Sequence, residues 1–294
     1  MLVKAIVTFN PTLDNLETLI QDDQNTTVIV DNASNNQKFL SEKVSHYKNV
    51  VFLALTENKG IAFAQNVAID YAIKNNVDYI LFFDQDSHID KNFISNLFLD
   101  FERISTNTKQ VAAIGPRLID EKQGFYFPAL KFNNYGLIDK ISVENISEPI
   151  EVSFLISSGT LVSVKALKEI GLMRDEFFID FVDTEWCFRA LSMGYKLYMS
   201  DKAFMKHSIG DDTLKFANFN IPVHSGFRRY YRIRNLFFMW KMPYIPKILV
   251  AKLMLTNFAI QVLLFLMKDK KMDYLKYYIK ATKDGIKESK NYHV

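Results

Sequence analysis

A single cysteine, Cys187, stands in 294 residues. No intramolecular disulfide can form, which excludes a disulfide-stapled secreted domain and fits a reducing compartment. Charge of one sign is also scarce. Lys and Arg number 36 against 33 Asp and Glu, a net charge of +3, too small to suggest a nucleic-acid partner. There is no internal repeat and no low-complexity tract. Met1-Leu2-Val3-Lys4 runs directly into a strand-like segment, so the pattern of a cleaved signal peptide is not readable there. What remains is ordinary globular material, 49% hydrophobic and 23% charged, which argues against disorder. The length predicts two domains, or one α/β domain with an extension.

The charge is unevenly distributed. Residues 228–294 carry 15 basic and 4 acidic side chains, while residues 1–227 carry 21 basic and 29 acidic ones. An acidic body with a basic tail points to an anionic surface as the partner of the tail. In the first 117 residues two periods alternate. Short apolar runs (Val3–Phe9, Thr27–Val30, Val50–Leu55, Tyr79–Phe83, Val111–Ile114) read as strands. Between them Thr12–Asp22, Lys38–Tyr47, Gly60–Lys74 and Asp90–Ile104 read as helices. That alternation predicts βα units and a mostly parallel sheet. Residues 118–150 read as an irregular insertion. Strands are expected again at Val152–Ile156 and Lys196–Ser200, helices at Val164–Ile170 and Asp183–Met193, and three helices after Ile221.

Polar residues gather where the strands end: Asp31-Asn32, Glu57-Asn58-Lys59-Gly60 and Asp84-Gln85-Asp86-Ser87. Open α/β sheets bind ligands beyond the carboxyl ends of their strands. Carboxylates at i and i+2, as in Asp84 and Asp86, can reach one hard cation, or one a cation and the other a sugar. Mg²⁺ and Mn²⁺ prefer such oxygen ligands and share a substrate's phosphates. An isolated pair of this kind is more often a solvated turn with a helix cap; an entirely apolar preceding strand and Asp31 on the same edge favour the metal. Asp183 and Glu185 are either dipole-favoured first-turn acids or hold a general base, whose pKa would rise among Phe, Val and Trp. His207 could add a nitrogen ligand, although a lone histidine is more often structural. The basic run from Arg228 to Arg234 is an exposed helix face or an anion clamp.

Together these segments resemble a family 2 glycosyltransferase of GT-A fold, and within it the bacterial rhamnosyltransferases. The resemblance rests on Ile6 to Pro11, Val28 to Ser34, Glu57 to Asn66, Phe82 to Ser87, Val182 to Arg189 and the Arg/Tyr helix, in the family's order over residues 1 to about 240. It implies a Rossmann-like nucleotide-sugar-binding α/β domain over 1–222, with a nucleotide-sugar half (1–117) and an acceptor half (118–222). A basic helical extension follows over 223–294. By resemblance, Thr8, Phe9 and Pro11 line the nucleotide site and Asp31 binds the base. Asn58, Gly60 and Asn66 lie along the sugar-nucleotide pocket. Asp84 binds ribose or sugar, Asp86 and His207 hold Mn²⁺ or Mg²⁺, and Asp183 is the base. Glu185, Trp186, Arg228, Arg229, Tyr231 and Arg234 are candidates for the acceptor or the diphosphate. Val182 stands where the family often has Glu, and Gln65 where Arg is common. The Gln-x-x-Arg-Trp motif of processive synthases is absent.

The implied reaction is inverting transfer of a sugar, first choice rhamnose from dTDP-rhamnose, to a glycan or lipid-linked acceptor of a cell-surface polysaccharide. UDP-galactose and UDP-galactofuranose are the alternative donors. A sugar-phosphate nucleotidyltransferase is disfavoured because Asn10-Pro11-Thr12-Leu13-Asp14 follows the first strand in place of a Gly-rich phosphate loop. A non-catalytic membrane-peripheral scaffold is disfavoured by the joint presence of Asp84, Asp86, Asp183 and His207. The tail segment 248–267 is long enough to span a bilayer, but Lys252, Thr256, Asn257 and Gln261 fall on one helical face. That stripe predicts packing or an interfacial position. Eight lysines between 268 and 290 predict attraction to an anionic leaflet, hence a cytoplasmic enzyme on the inner membrane face. The competing expectation is a helical cap with solvated lysines.

Overall fold

β-Branched and aromatic runs form the sheet, and the amphipathic stretches between them form the covering helices. The computed structural model describes all residues except 22–24, 122, 134–136, 208–211, 217–218, 270 and 293–294, and the side chains of 13–15 and 207–223. The order is β1 (Leu2–Thr8), α1 (Leu13–Ile20), β2 (Thr26–Asp31), α2 (Gln37–Val44), β3 (Val50–Ala54), α3 (Gly60–Lys74), β4 (Tyr79–Asp84), α4 (Phe93–Asn107), β5 (Val111–Asp120), β6 (Ala129–Phe132), β7 (Ile138–Ile141), β8 (Ile150–Val152), β9 (Leu161–Ser163), α5 (Val164–Ile170), a 3₁₀ turn (Asp175–Phe177), α6 (Val182–Ser192), β10 (Lys196–His207), β11 (Asp212–Phe216), β12 (Phe219–Val223), α7 (Gly226–Lys241), α8 (Lys247–Met267) and α9 (Lys271–Lys290).

Eight strands make one sheet in the order β3-β2-β1-β4-β9-β5-β10-β8. β1 runs parallel to β2 and β4, β2 to β3, and β5 to β10. β9 is antiparallel to β4 and β5, and β8 to β10. The chain builds outward from β1 to β3, then returns past β1 to β4. The reversal lies between β1 and β4, the place where such sheets bind ligands. Register sets Val7 beside Asp84 there. The core between sheet and helices includes Ile6, Ile29, Leu81, Phe83, Phe93 and Leu97.

Several elements differ from the sequence reading, among them the strand expected at Val152–Ile156, which is Ile150–Val152, and the unforeseen β11–β12 pair. The insertion expected at 118–150 holds the end of β5 and the short β6–β7 pair. β9, only three residues long, escapes any periodicity. β10 continues beyond Ser200 to His207, through an irregularity between Met199 and Phe204, where Ser200 Oγ accepts from the backbone of Lys202 and Ala203.

The chain divides into two compact units, residues 1–131, 139–178 and 182–207, and residues 132–138, 179–181 and 208–294. The last segment of the second unit, 208–294, includes the β11–β12 hairpin. Its three helices enclose Arg229, which is 3% exposed. Arg229 donates to the Asn257 carbonyl (3.1 Å) and to Gln261 Oε1 (3.4 Å). Burial first, and then Arg232, pull its pKa down to about 10.

Candidate active site

The carboxyl edge of β1, β2 and β4 is knit by side chains. Asp31 is fully buried. Its Oδ1 accepts from Thr8 Oγ1 (2.9 Å) and Ser34 Oγ (2.5 Å), and its Oδ2 from the Ser34 amide (2.9 Å) and Gln37 Nε2 (2.8 Å). A carboxylate has about four acceptor sites, and all are taken. In this structure Asp31 ties β1 to the turn after β2. Ser34 Oγ in turn accepts from the Asn10 amide (2.7 Å). Asn10 and Ala33 both hold left-handed backbone, φ 50° and 63°, so these two turns are tightly made. Thr8 and Pro11 are buried, while Phe9 is 46% exposed, an aromatic face suited to stacking on a base. The Phe9 amide donates to Gln85 Oε1 (2.8 Å), which joins the Asp-Gln-Asp turn to the end of β1.

Asn58 is a turn-former. Its Oδ1 accepts from Asn32 Nδ2 (2.9 Å) and the Gly60 amide (3.0 Å), and Asn32 Oδ1 accepts from the Lys59 amide (2.9 Å). Gly60 opens α3 at φ +87°, where a Cβ would lie 2.5 Å from the Phe178 carbonyl oxygen. That oxygen accepts from the Ile61 amide (2.7 Å) and so occupies the start of α3. Gly60→Ala is expected to lose about 2 kcal/mol or more through strain and overlap, measurable by denaturant unfolding. Asn66 is buried. It donates to the Met173 carbonyl (2.8 Å) and Asp175 (2.6 Å), and accepts from the Met173 amide (2.9 Å). It brackets the 173–175 loop rather than lining an open pocket. Burial pushes the Asp175 carboxyl up, against the hydrogen bond from Asn66.

Asp84 ends β4 half-buried, and Asp86 is exposed. The Asp84 amide donates to Ser87 Oγ (3.1 Å) and Ser158 Oγ (3.2 Å), and the two hydroxyls bond each other at 2.8 Å. His88 forms an antiparallel bridge with Lys206, so the backbone brings the segment after Asp86 alongside the one ending in His207. His207 pairs with Asp120 in the β5–β10 ladder; its side chain lies outside the described residues. Among the described residues no three His, Cys, Asp or Glu side chains converge.

Asp183 sits in the first turn of α6. Its Oδ2 accepts from the Ser157 amide (3.3 Å) and its Oδ1 from the Thr184 amide (2.7 Å). With Leu155, Ser157, Trp186 and Cys187 it lines a cleft of about 20 Å³. Burial pushes the Cys187 thiol pKa up, so it stays protonated and is no nucleophile.

The two other α6 candidates, Glu185 and Trp186, lie inside the fold. Glu185 is fully buried. It takes a bidentate pair from Arg189 (2.9 and 2.9 Å) and a bond from Arg174 Nε (3.3 Å). Trp186 is buried and donates Nε1–H to the Gly171 carbonyl (3.0 Å). Both hold the 170–174 loop. Residues two apart on a helix do not share a face, so Asp183 and Glu185 point differently.

In the second unit Arg228 and Arg232 pair with Asp180 at 3.2 and 3.0 Å. Asn235 donates to the Ile179 and Asp180 carbonyls (2.9 and 3.0 Å). Arg234 stacks on Tyr231 (4.8 Å) and Phe238 (5.1 Å) and lies 3.8 Å from Glu288. Arg228, Arg229 and Arg234 are thus engaged within the helical unit, and Tyr231 also packs edge-on to Phe227. Phe178, Asp180 and Phe181 hold left-handed backbone, φ 61°, 64° and 65°. Such non-glycine strain gathers at functional sites, and here it directly precedes Asp183. Ser157 and Ser158 were missed in the sequence, and Gln85 and Ser87 were read only as parts of their motif. The small polar run Ser157-Ser158-Gly159-Thr160 after an apolar segment was the available signal.

A switch point between β1 and β4, with carboxylate turns on its edge and Asp183 opening α6, defines a nucleotide-sugar-binding protein of GT-A type. The chain belongs to glycosyl transferase family 2, whose model matches residues 6–171, and it is a glycosyltransferase. It is 39% identical over 288 residues to the dTDP-rhamnosyl transferase RfbF of Shigella flexneri, covering 96% of this chain and 94% of that protein. The solved structure of S. aureus TarS 1–349 matches 97% of this chain and 80% of its own, with TM-score 0.57 and 16% identity. GalNAc-T7 with UDP, GalNAc and Mn²⁺ matches 87% of this chain and 55% of its own, with TM-score 0.57 and 12% identity. At these identities the two structures speak for the fold alone. The expected α/β fold, mostly parallel with C-terminal helices, is borne out.

Proposed function

We propose that this chain transfers L-rhamnose from dTDP-rhamnose, with inversion, to a hydroxyl of a glycan or lipid-linked acceptor in bacterial surface-polysaccharide synthesis. The carrying observation is the 39% identity, over nearly the whole of both chains, with a dTDP-rhamnosyl transferase. Phe9 stacks on the base at the end of β1, and Asp84 meets the ribose or sugar. Asp183 takes the proton of the acceptor hydroxyl. That oxygen bonds the anomeric carbon from the face opposite the nucleotide, and the dTDP leaves with the electron pair of the broken bond. The Ser157 and Thr184 amides hold the carboxylate in place for this.

Asp86 and His207 would hold Mn²⁺ or Mg²⁺. The exposed Asp86 and the His88–Lys206 bridge fit such a donor set. A bound cation would neutralise charge gathering on the diphosphate. Asp86→Ala is expected to abolish the gain in dTDP affinity that Mn²⁺ confers, read by calorimetry. Equal affinity with and without Mn²⁺ in the wild type would reject the assignment.

Donor identity is tested by incubating the protein with dTDP-rhamnose, UDP-galactose and UDP-galactofuranose and measuring the nucleoside diphosphate released. Preferential turnover of dTDP-rhamnose, and greater thermal stabilisation by dTDP than by UDP, is the expected result. Preference for a UDP-sugar would favour the galactosyl alternatives, and no turnover with any donor the scaffold. The enzyme works at the inner face of the membrane, to which the basic tail attaches it.

A further inference from the structure

We propose that α8 and α9 form a bilayer-inserting surface, with α8 seated by its apolar face at the headgroup–acyl boundary and α9 laying a lysine row on anionic headgroups. This rests on the membrane reading above and replaces simple charge attraction with insertion.

α8 is built inside out for a water-soluble helix. Two of its polar residues, Asn257 and Gln261, are 3% and 4% exposed, and Gln261 Oε1 and the Asn257 backbone carbonyl accept from Arg229, while Lys252 and Thr256 stay outside. Its outward face carries Ile248, Leu255, Val262 and Leu266, with Leu255 at 70% and Leu266 at 72% exposure. The spacing i, i+7, i+14, i+18 keeps them on one stripe. Soluble surfaces rarely leave such a continuous apolar stripe uncovered. A cavity of about 320 Å³, lined by Ile233, Met254, Leu255, Phe258 and Tyr278, reaches this stripe and has the character to receive a hydrocarbon chain.

α9 says what covers it. Leu264 packs with Tyr274 and Phe258 with Tyr278, so α8 and α9 form an antiparallel hairpin. Met272, Lys276, Ile279, Lys283, Ile286 and Lys290 recur every three or four residues along one outward face of α9. Long apolar side chains there alternate with cations, a pattern that suits the headgroup boundary, where lysine stems lie in the apolar layer and their charges reach out. Two of the helix's acids turn the other way, Asp284 to Tyr230 and Glu288 to Arg234. The occupant is therefore an anionic bilayer, not a neutral protein surface.

α8 is long and apolar enough to cross a membrane. Crossing is disfavoured because it would carry Arg229, which α8 holds at its midpoint, into hydrocarbon. Lying in the interface leaves that arginine within the three-helix unit.

The full chain is tested by co-sedimentation with phosphatidylcholine vesicles containing about 30 mol% phosphatidylglycerol, at low salt and at about 0.5 M salt. Wild type is expected to bind at low salt and to retain binding at high salt. Leu255→Glu with Leu266→Glu is expected to lose roughly tenfold or more in affinity and all salt-resistant binding. Unfolding midpoint and donor turnover in solution should match wild type, since both leucines are exposed. Lys276→Gln, Lys283→Gln and Lys290→Gln together should remove the preference for anionic over neutral vesicles. If wild-type binding vanishes at high salt and the leucine pair changes nothing, attachment is electrostatic and insertion is overturned. If wild type binds no vesicle, the membrane reading falls with it. If the leucine pair converts a dimer to a monomer by light scattering without altering vesicle binding, the stripe covers a second copy and the proposal fails.

Discussion

Asp183→Asn is expected to lower sugar transfer by roughly 10²- to 10⁴-fold while leaving donor binding close to wild type. Asn keeps the shape at the start of α6, and its side-chain oxygen can still accept from the Ser157 and Thr184 amides that hold Asp183 now. It cannot accept the acceptor's proton. The loss should fall on kcat, with dTDP affinity by calorimetry unchanged, because the base acts only on the acceptor oxygen. Near wild-type turnover would remove Asp183 from the base role. Loss of dTDP binding in parallel would show that its contribution is to the site's shape.

Glu185→Ala is expected to be the most destabilising single change in this region, costing about 3 kcal/mol or more. Glu185 is fully buried and receives both Arg189 and Arg174. Arg189 also spans to the Ile170 and Leu172 carbonyls (2.9 and 2.8 Å). Removing the carboxylate leaves the largely buried Arg189 without its counter-charge, leaves Arg174 its pair with Glu176 (3.6 Å), and leaves a void. Glu185→Gln retains the hydrogen-bond geometry in part and should lose less. Urea unfolding monitored by far-UV circular dichroism reads both, and a midpoint for Glu185→Ala equal to wild type would refute the anchoring role. If Glu185 instead contacted the acceptor, Glu185→Ala would fold normally and raise the acceptor KM.

Local patterns carried much of the molecule. The apolar runs that become β1 to β4, and the helix from Gly60 to Lys74, are determined by neighbours within a few residues, so periodicity finds them. The clustering of Asp31, Asn58, Asp84 and Asp86 at one sheet edge follows from strand direction alone, and the motif order carries the glycosyltransferase family. Tertiary structure decided the rest. β9 is too short to show a period, and its place between β4 and β5 depends on partners about 80 and 50 residues away in the chain. Whether a carboxylate faces ligand or core depends on donors brought from elsewhere: Thr8 and Gln37 for Asp31, Arg174 for Glu185. A sequence lists the acid but not which donors surround it. The polar stripe of α8 was legible as a stripe. That its Asn257 and Gln261 end turns inward while Lys252 and Thr256 stay outside with Leu255 and Leu266 is decided by buried Arg229, whose unmet hydrogen bonds cost more than exposed leucines do.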